Sequence, residues 1–160
     1  MDFGPTLETD RLILRVPRAE DFDAFAEMQA DPDAARFIGG HVTRAEAWRR
    51  FLWQPGAWLV QGFGMFGVLE KESGLWMGQI GPWKPEGWPG NEIGYAFHPR
   101  AWGKGYATEA GTAAIDWAFT NLGWQNVAKR LGSTMKGPGK LPPPFQAVVV
   151  DVWGQTREEW

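Results

Sequence analysis

The spacing of apolar positions divides the first third of the chain into one strand and two helices. Residues 11–16 form a mostly apolar run, which predicts a strand. The acidic residues within 18–21 suit the positive end of a helix dipole, and apolar residues follow them at helical spacing. Thr43 and Glu46 have the spacing of a capping box, so a second helix is predicted to begin there and to end before Pro55.

The middle of the chain has the pattern of an antiparallel sheet followed by a helix. Two apolar runs, 64–70 and 75–80, are separated by turn residues and predict a hairpin, and 91–97 predicts a further strand. Residues 107–122 place alanines on one stripe of a helix, and Gly123 is a natural end for it. Such small residues let a helix pack closely on a sheet.

The last third has weaker patterns. Residues 126–131 predict a short helix, 137–144 a loop rich in proline and glycine, and 147–153 a strand. No repeat or linker separates this part from the rest. Residues 1–160 are therefore expected to form a single α/β domain.

The composition narrows the classes of function. Sixteen Lys and Arg against 19 Asp and Glu give a net charge of −3, and the basic residues are scattered, which argues against nucleic-acid binding. The absence of cysteine excludes disulfides, thiolate metal sites and a cysteine nucleophile, and two histidines are too few for a histidine-rich metal site. We therefore expect no bound metal. No stretch resembles a membrane span or a signal peptide, so we also expect no membrane association and a cytoplasmic location.

The clearest chemical signal is a glycine-containing loop between the strand 91–97 and the helix that follows. Arg100, Gly103, Lys104 and Gly105 combine positive charge with a flexible backbone at a helix start, which is a site for anions. The spacing fits neither a Walker loop nor a Rossmann fingerprint. Taken alone, it is equally compatible with a turn that only caps the helix.

The surrounding residues carry a family resemblance. The segment NEIGYAFHPRAWGKGYATEA at 91–110 strongly resembles the central motif of the GNAT acetyltransferase superfamily. LETDRLILR at 7–15 and VDVWGQ at 150–155 are similar to the ribosomal-protein N-acetyltransferase-like branch. The resemblance covers nearly the whole chain. It implies a GNAT-like acyl-CoA N-acyltransferase fold, in which helices cover both faces of a mixed sheet.

The same resemblance implies acetyl-CoA as co-substrate and a primary amine as acceptor, on a protein N-terminus or a small molecule. The cofactor would lie along the family's fourth strand, here 91–97, with its pyrophosphate on the main-chain amides of 102–107. The implied cofactor-binding residues are Phe97, Arg100, Trp102, Gly103, Lys104, Gly105, Tyr106, Ala107 and Thr108.

Two residues are candidates for the base that deprotonates the amine. Glu92 is the first, and it shares a strand face with Gly94 and Ala96, whose small size predicts a trough beside the carboxylate. Its alternative role is a strand-edge carboxylate in a salt bridge. His98 is the second candidate, with a structural role before a proline as its alternative. The family's usual acid is a tyrosine in a later helix, and neither tyrosine of this chain lies there.

The chain departs from the family after Trp124. The family continues with a fifth parallel strand and a further helix, whereas here that strand is missing. Either the sequence omits residues of the protein or the protein lacks this segment, and turnover is then expected to be weak or lost. Two further roles stay open: a degenerate GNAT domain that binds CoA or a partner without turnover, and a structural role for a tryptophan-rich surface.

Two expectations follow from this departure and from the tryptophans. An uncovered sheet edge predicts a marginal monomer or a homodimer that completes the sheet, and the strand 147–153 is expected to move toward the exposed edge. Four aromatic residues are candidates either for an apolar acceptor pocket or for ordinary packing: Phe63, Trp76, Trp83 and Trp88.

Overall fold

The computed structural model describes residues 3–127, 134–140 and 150–159 of the chain. A sheet of five strands is ordered as the chain runs, and every neighbouring pair is antiparallel. Its strands are β1 (Leu7–Glu8), β2 (Leu12–Arg15), β3 (Phe66–Glu70), β4 (Trp76–Trp83) and β5 (Glu92–Phe97). The helices are α1 (Phe22–Ala30), α2 (Arg44–Gln61) and α3 (Tyr106–Asn121).

The helices lie on both faces of this sheet. Met77 and Phe97 belong to the core cluster that includes α3, whereas Trp76 and Ala96 belong to the cluster that includes α1 and α2. Because successive strand residues point to opposite faces, the two clusters lie on opposite sides of β4 and β5. This is the mixed α/β architecture that the sequence predicts.

The helix α2 is longer than the sequence predicts. Its start is confirmed, since Thr43 and Glu46 form the capping box with a Glu46 Oε2 bond of 3.0 Å to the Thr43 N–H. The predicted end before Pro55 is wrong, because the helix continues through this proline to Gln61. The buried Trp58 donates its Nε1–H to the Met65 carbonyl at 3.0 Å, which anchors the second half of the helix.

The last third forms a second small sheet with the order β6–β8–β7, all antiparallel, from β6 (Asn126–Val127), β7 (Thr134–Gly139) and β8 (Val150–Thr156). The predicted helix at 126–131 is wrong at residues 126–127, and the rest of it lies outside the described residues. The predicted loop at 137–144 is wrong at 137–139, where the chain pairs with β8. Backbone pairing outweighs the proline and glycine content there. The predicted strand at 147–153 is confirmed from residue 150.

The outer edge of β5 has no strand partner within the described ranges, where β5 pairs with β4 alone. The strand β8 pairs with β6 and β7 instead, so its expected movement to this edge is wrong for the described residues. The second sheet approaches the beginning of β5, where the Asn91 side chain donates to the Asn126 carbonyl at 3.5 Å. Among the residues that the structure describes, no helix has the length and apolar character to cross a membrane.

Candidate active site

The candidate cofactor loop connects β5 to α3 through a single 3-10 turn, Pro99–Ala101. His98 caps this turn, with its Nδ1 accepting the N–H of Arg100 at 3.2 Å. Gly103 and Gly105 follow with φ angles of 73° and 77°. Residues with a side chain are strained in this left-handed region. The two glycines therefore let the chain turn sharply into the first turn of α3.

The start of α3 presents main-chain donors beside open space. The first N–H bonded within the helix is that of Glu109, which donates to the Gly105 carbonyl at 3.1 Å. The N–H groups of 106–108 precede it and have no carbonyl within the helix to bind. A Cβ placed on Gly103 would meet no atom within 4 Å, so an anion has room to approach the backbone.

One of the main-chain N–H groups predicted to bind the pyrophosphate already has a hydrogen-bond partner in the protein. The Trp102 N–H donates to the Pro99 carbonyl at 3.1 Å and closes the 3-10 turn. The Trp102 indole, half exposed, donates its Nε1–H to the Phe97 carbonyl at 3.0 Å at the end of β5. The main-chain donors that remain for a ligand are those of 103–108.

Both cations of the loop have carboxylate partners. Lys104 Nζ lies 3.5 Å from Glu70 Oε1, the atom to which the Tyr106 hydroxyl also donates. Arg100 turns toward α1, where its Nη2 lies 2.8 Å from Glu27 Oε2. The positive field at the loop therefore comes more from backbone N–H groups than the sequence suggests.

Glu92 is a partly buried residue whose carboxylate accepts a hydrogen bond at one of its two oxygens. Trp88 Nε1–H donates to its Oε2 at 2.7 Å. Burial raises the pKa of Glu92, and the hydrogen bond from Trp88 partly opposes this rise. The predicted alternative, a salt bridge, is absent from the ion pairs of the described residues. A carboxylate with a raised pKa is better matched to proton transfer near neutral pH.

His98 does not share a site with Glu92. The two residues are six positions apart along extended chain, a distance of about 20 Å. Its ring lies between Arg100, whose Nε is 3.1 Å from Nδ1, and Glu27, whose Oε2 is 3.5 Å from Nε2. Partial burial and the charge of Arg100 lower the pKa of His98. These contacts connect His98 to the loop through Arg100 and to α1 through Glu27.

The trough that the small residues of β5 predict is filled. A Cβ on Gly94 would collide with the Met65 Cε methyl and lie 3.4 Å from Trp83 Cβ. Ala96 is buried in the core cluster of α1 and α2. The expectation of an open trough beside Glu92 is wrong, because side chains from neighbouring segments occupy the space that small residues leave.

The aromatic residues beside Glu92 differ from the predicted set. Trp83 is the cross-strand partner of Glu92 and shares its face of the sheet. The ring centroid of Trp83 lies 4.4 Å from that of Trp53 and 6.4 Å from that of Trp88. We call Trp53, Trp83 and Trp88 the tryptophan cluster. Trp53 lies thirty residues away in sequence, on α2, and no local pattern marks it as a member.

The other two candidates for an acceptor pocket lie elsewhere. Trp76 is buried against Phe25, with ring centroids 6.1 Å apart. Phe63 packs against Trp124 at 5.6 Å. Both serve as core, so the four-residue pocket is not formed. In the described ranges, no three His, Cys, Asp or Glu side chains are grouped so that they could hold a metal.

Residues 11–132 match the family model of the acetyltransferase (GNAT) domain. A solved acetyltransferase from Agrobacterium tumefaciens is 28% identical, with a TM-score of 0.79 over 96% of this chain and 95% of that one. The FsC-acetyl coenzyme A-N(2)-transacetylase of Aspergillus fumigatus is 33% identical over 141 residues, 82% of this chain and 58% of that protein. The ribosomal-protein-S5-alanine acetyltransferase of Vibrio fischeri, 16% identical with a TM-score of 0.65 over 98% and 99%, shares the fold.

Proposed function

Because the chain belongs to the GNAT acetyltransferase family, we propose that it transfers an acetyl group from acetyl-CoA to a primary amine. The acceptor amine belongs to a protein N-terminus or to a small molecule. The observation that carries this proposal is the start of α3, where main-chain N–H groups have no helical partner and the loop has open space at Gly103. Main-chain N–H groups and the helix dipole make such a helix start a binding site for anions such as a diphosphate.

The loop would bind the diphosphate of the cofactor, and the edge of β5 would bind its extended chain with amide groups. The N–H groups of 103–108 would hold the diphosphate, and Lys104, partly exposed, adds charge at its side. The outer edge of β5 offers main-chain donors and acceptors to an extended chain with amide groups, as an added strand would use them. Bound acetyl-CoA supplies the acetyl group in an activated thioester.

The residues around Glu92 would prepare the amine. Trp88 holds the carboxylate through Oε2, and Oε1 takes the proton that the amine must lose. The raised pKa of Glu92 makes the carboxylate a stronger base than an exposed one. The tryptophan cluster beside it would shield the amine from water and offer an apolar surface to the rest of the acceptor.

The relatives leave both acceptor classes open. The fungal enzyme is named for an N(2) position, and the Vibrio fischeri enzyme for an alanine of a ribosomal protein. The purified chain should therefore be given acetyl-CoA with small aromatic, aliphatic and polyamine substrates and with N-terminal peptides. Release of the CoA thiol together with an N-acetylated product supports the proposal. Binding of acetyl-CoA without release in the presence of any amine contradicts it.

The second candidate function is CoA binding without turnover. The observation that favours it is the outer edge of β5, which lacks a parallel partner strand among the described residues. In that case the chain binds CoA and acetyl-CoA with equal affinity and releases no thiol. Single-turnover measurement at high enzyme concentration separates this function from slow catalysis, because slow catalysis still yields one equivalent of thiol.

A change at Trp88 tests the link between the indole and the carboxylate. Trp88→Phe removes the hydrogen bond that lowers the pKa of Glu92, so this pKa should rise further. Because the base must be deprotonated, activity on the acidic side should then require a higher pH than in the wild type. The pH dependence of kcat/KM checks this shift. An acidic limb that stays in place or moves to lower pH would show that Glu92 does not set it.

A further inference from the structure

The turn between β1 and β2 contacts the first turn of α3. Arg11 donates its main-chain N–H to Glu109 Oε1 at 2.9 Å and its Nε–H to Glu109 Oε2 at 2.7 Å. The Thr9 hydroxyl donates to Glu109 Oε1 at 2.5 Å. Thr9 and Arg11 belong to the opening segment of the chain, which the proposed chemistry does not otherwise use. Main-chain and side-chain donors from this turn thus converge on one carboxylate at the base of the candidate cofactor loop.

The same guanidinium reaches the loop itself. Arg11 Nη1–H donates to the Lys104 carbonyl at 2.9 Å, and the Arg11 Cζ lies 4.6 Å from the centroid of the Tyr106 ring. A Cβ on Gly105 would lie 3.6 Å from Arg11 Nη2. Arg11 therefore contacts the loop on both sides of Gly105. These contacts hold the backbone of the loop at the start of α3.

The pairing also settles the charge of Glu109. An unpaired carboxylate in the first turn of α3 would repel a diphosphate at the same helix end. Burial acts to raise the pKa of Glu109, but the hydrogen bonds from Thr9 and Arg11 outweigh it and lower this pKa. The carboxylate is therefore ionised, and the Arg11 guanidinium, with Nη2 2.7 Å from Oε2, balances its charge.

We propose that Arg11 is a positioning residue for the cofactor, which holds residues 103–105 and the start of α3 in the shape that binds a diphosphate. This inference rests on the cofactor part of the proposed function. Arg11 acts through the loop and not on the ligand, since its Nε and Nη2 contact Glu109 and its Nη1 contacts the Lys104 carbonyl. Cofactor binding thus depends on a residue almost one hundred positions before the loop.

The test compares three ligands in Arg11→Met, which keeps an unbranched apolar stem and removes the side-chain donors. CoA and 3′-dephospho-CoA both carry the diphosphate, whereas pantetheine lacks it. The dissociation constants of the first two should rise by about 10-fold, because charge-assisted hydrogen bonds that order the loop are lost. That of pantetheine should not change. With acetyl-CoA, KM should rise by the same factor while kcat is kept.

Control variants make the outcome specific. Arg49→Met, at an exposed position on α2, should leave all three affinities unchanged. Arg11→Lys keeps the charge without the paired geometry and should recover only part of the loss. Arg11→Met combined with Glu109→Gln should bind CoA better than Arg11→Met alone, because the uncompensated carboxylate is gone.

Three results would overturn the inference. Equal loss for pantetheine would show a general structural defect, and loss for CoA but not for 3′-dephospho-CoA would show that Arg11 binds the 3′-phosphate directly. Unchanged binding of CoA by Arg11→Met would show that the loop needs no such support. If the wild type itself does not bind CoA, the proposed function fails together with the inference, whereas unchanged binding in Arg11→Met removes the inference alone.

Discussion

Gly103→Asp and Gly105→Asp should each weaken the binding of CoA by about 2–4 kcal/mol, or roughly 30- to 1,000-fold. Both glycines have a left-handed φ, so any side chain strains the loop that presents the N–H groups. The open space beside Gly103, where we propose that the diphosphate binds, would receive a carboxylate instead. Charge repulsion and a displaced backbone then act in the same direction. Isothermal titration of each variant with CoA measures the loss.

Gly74→Asp is the matched control for this experiment. Gly74 lies in the turn between β3 and β4 with a φ of 70°, and a Cβ there would also meet no atom within 4 Å. The backbone strain, of about 1 kcal/mol, is therefore similar at Gly74 and Gly103, whereas only Gly103 belongs to the loop. Gly74→Asp should lower the free energy of unfolding and keep the affinity for CoA. Equal affinities in all of these variants would contradict the assignment of the loop.

Glu92→Gln should lower kcat by about 100-fold or more and leave the affinity for CoA nearly unchanged. The amide keeps the size of the side chain and an oxygen for the Trp88 Nε1–H, but it cannot take a proton from the amine. Rapid measurement of thiol release with saturating acetyl-CoA and amine checks the rate. Glu86→Gln, an exposed position in the neighbouring loop, is the control and should retain wild-type activity.

The pH dependence of the same variants identifies the base. An ordinary glutamate has a pKa of about 4.3. Burial raises the pKa of Glu92, so the rate of the wild type should begin to fall at a higher pH than an ordinary glutamate would cause. Glu92→Gln should lose this acidic limb, and Glu86→Gln should keep it. A variant of Glu92 that retains both the rate and the limb would assign the base to another group or to a chain of water molecules.

The elements of the fold that depend on local patterns could be predicted from the sequence. The capping box of α2, the β3–β4 hairpin and the glycines before α3 each rest on residues a few positions apart. The end of α2 could not be predicted in this way. A proline normally ends a helix, but burial of Trp58 outweighs the one hydrogen bond that Pro55 removes.

In the candidate site, too, features that rest on neighbouring residues could be predicted and contacts between distant segments could not. The candidate anion-binding loop and Glu92 could be proposed from the sequence, since the motif that carries them is continuous. It does not show that Arg100 turns to Glu27 or that Met65 fills the space over Gly94, because these partners come from distant segments. Arg11 and Trp53 were missed as parts of the site for the same reason. Their contacts exist only after the sheet brings the segments together.

Titration of the whole chain with acetyl-CoA is the most direct test of the central claim, which is that the start of α3 is a cofactor site. We expect saturable binding of acetyl-CoA and of CoA with one site per chain. Gly103→Asp should weaken both and Gly74→Asp should weaken neither. An absence of binding by the folded wild-type chain, or binding that Gly103→Asp leaves unchanged, would contradict it.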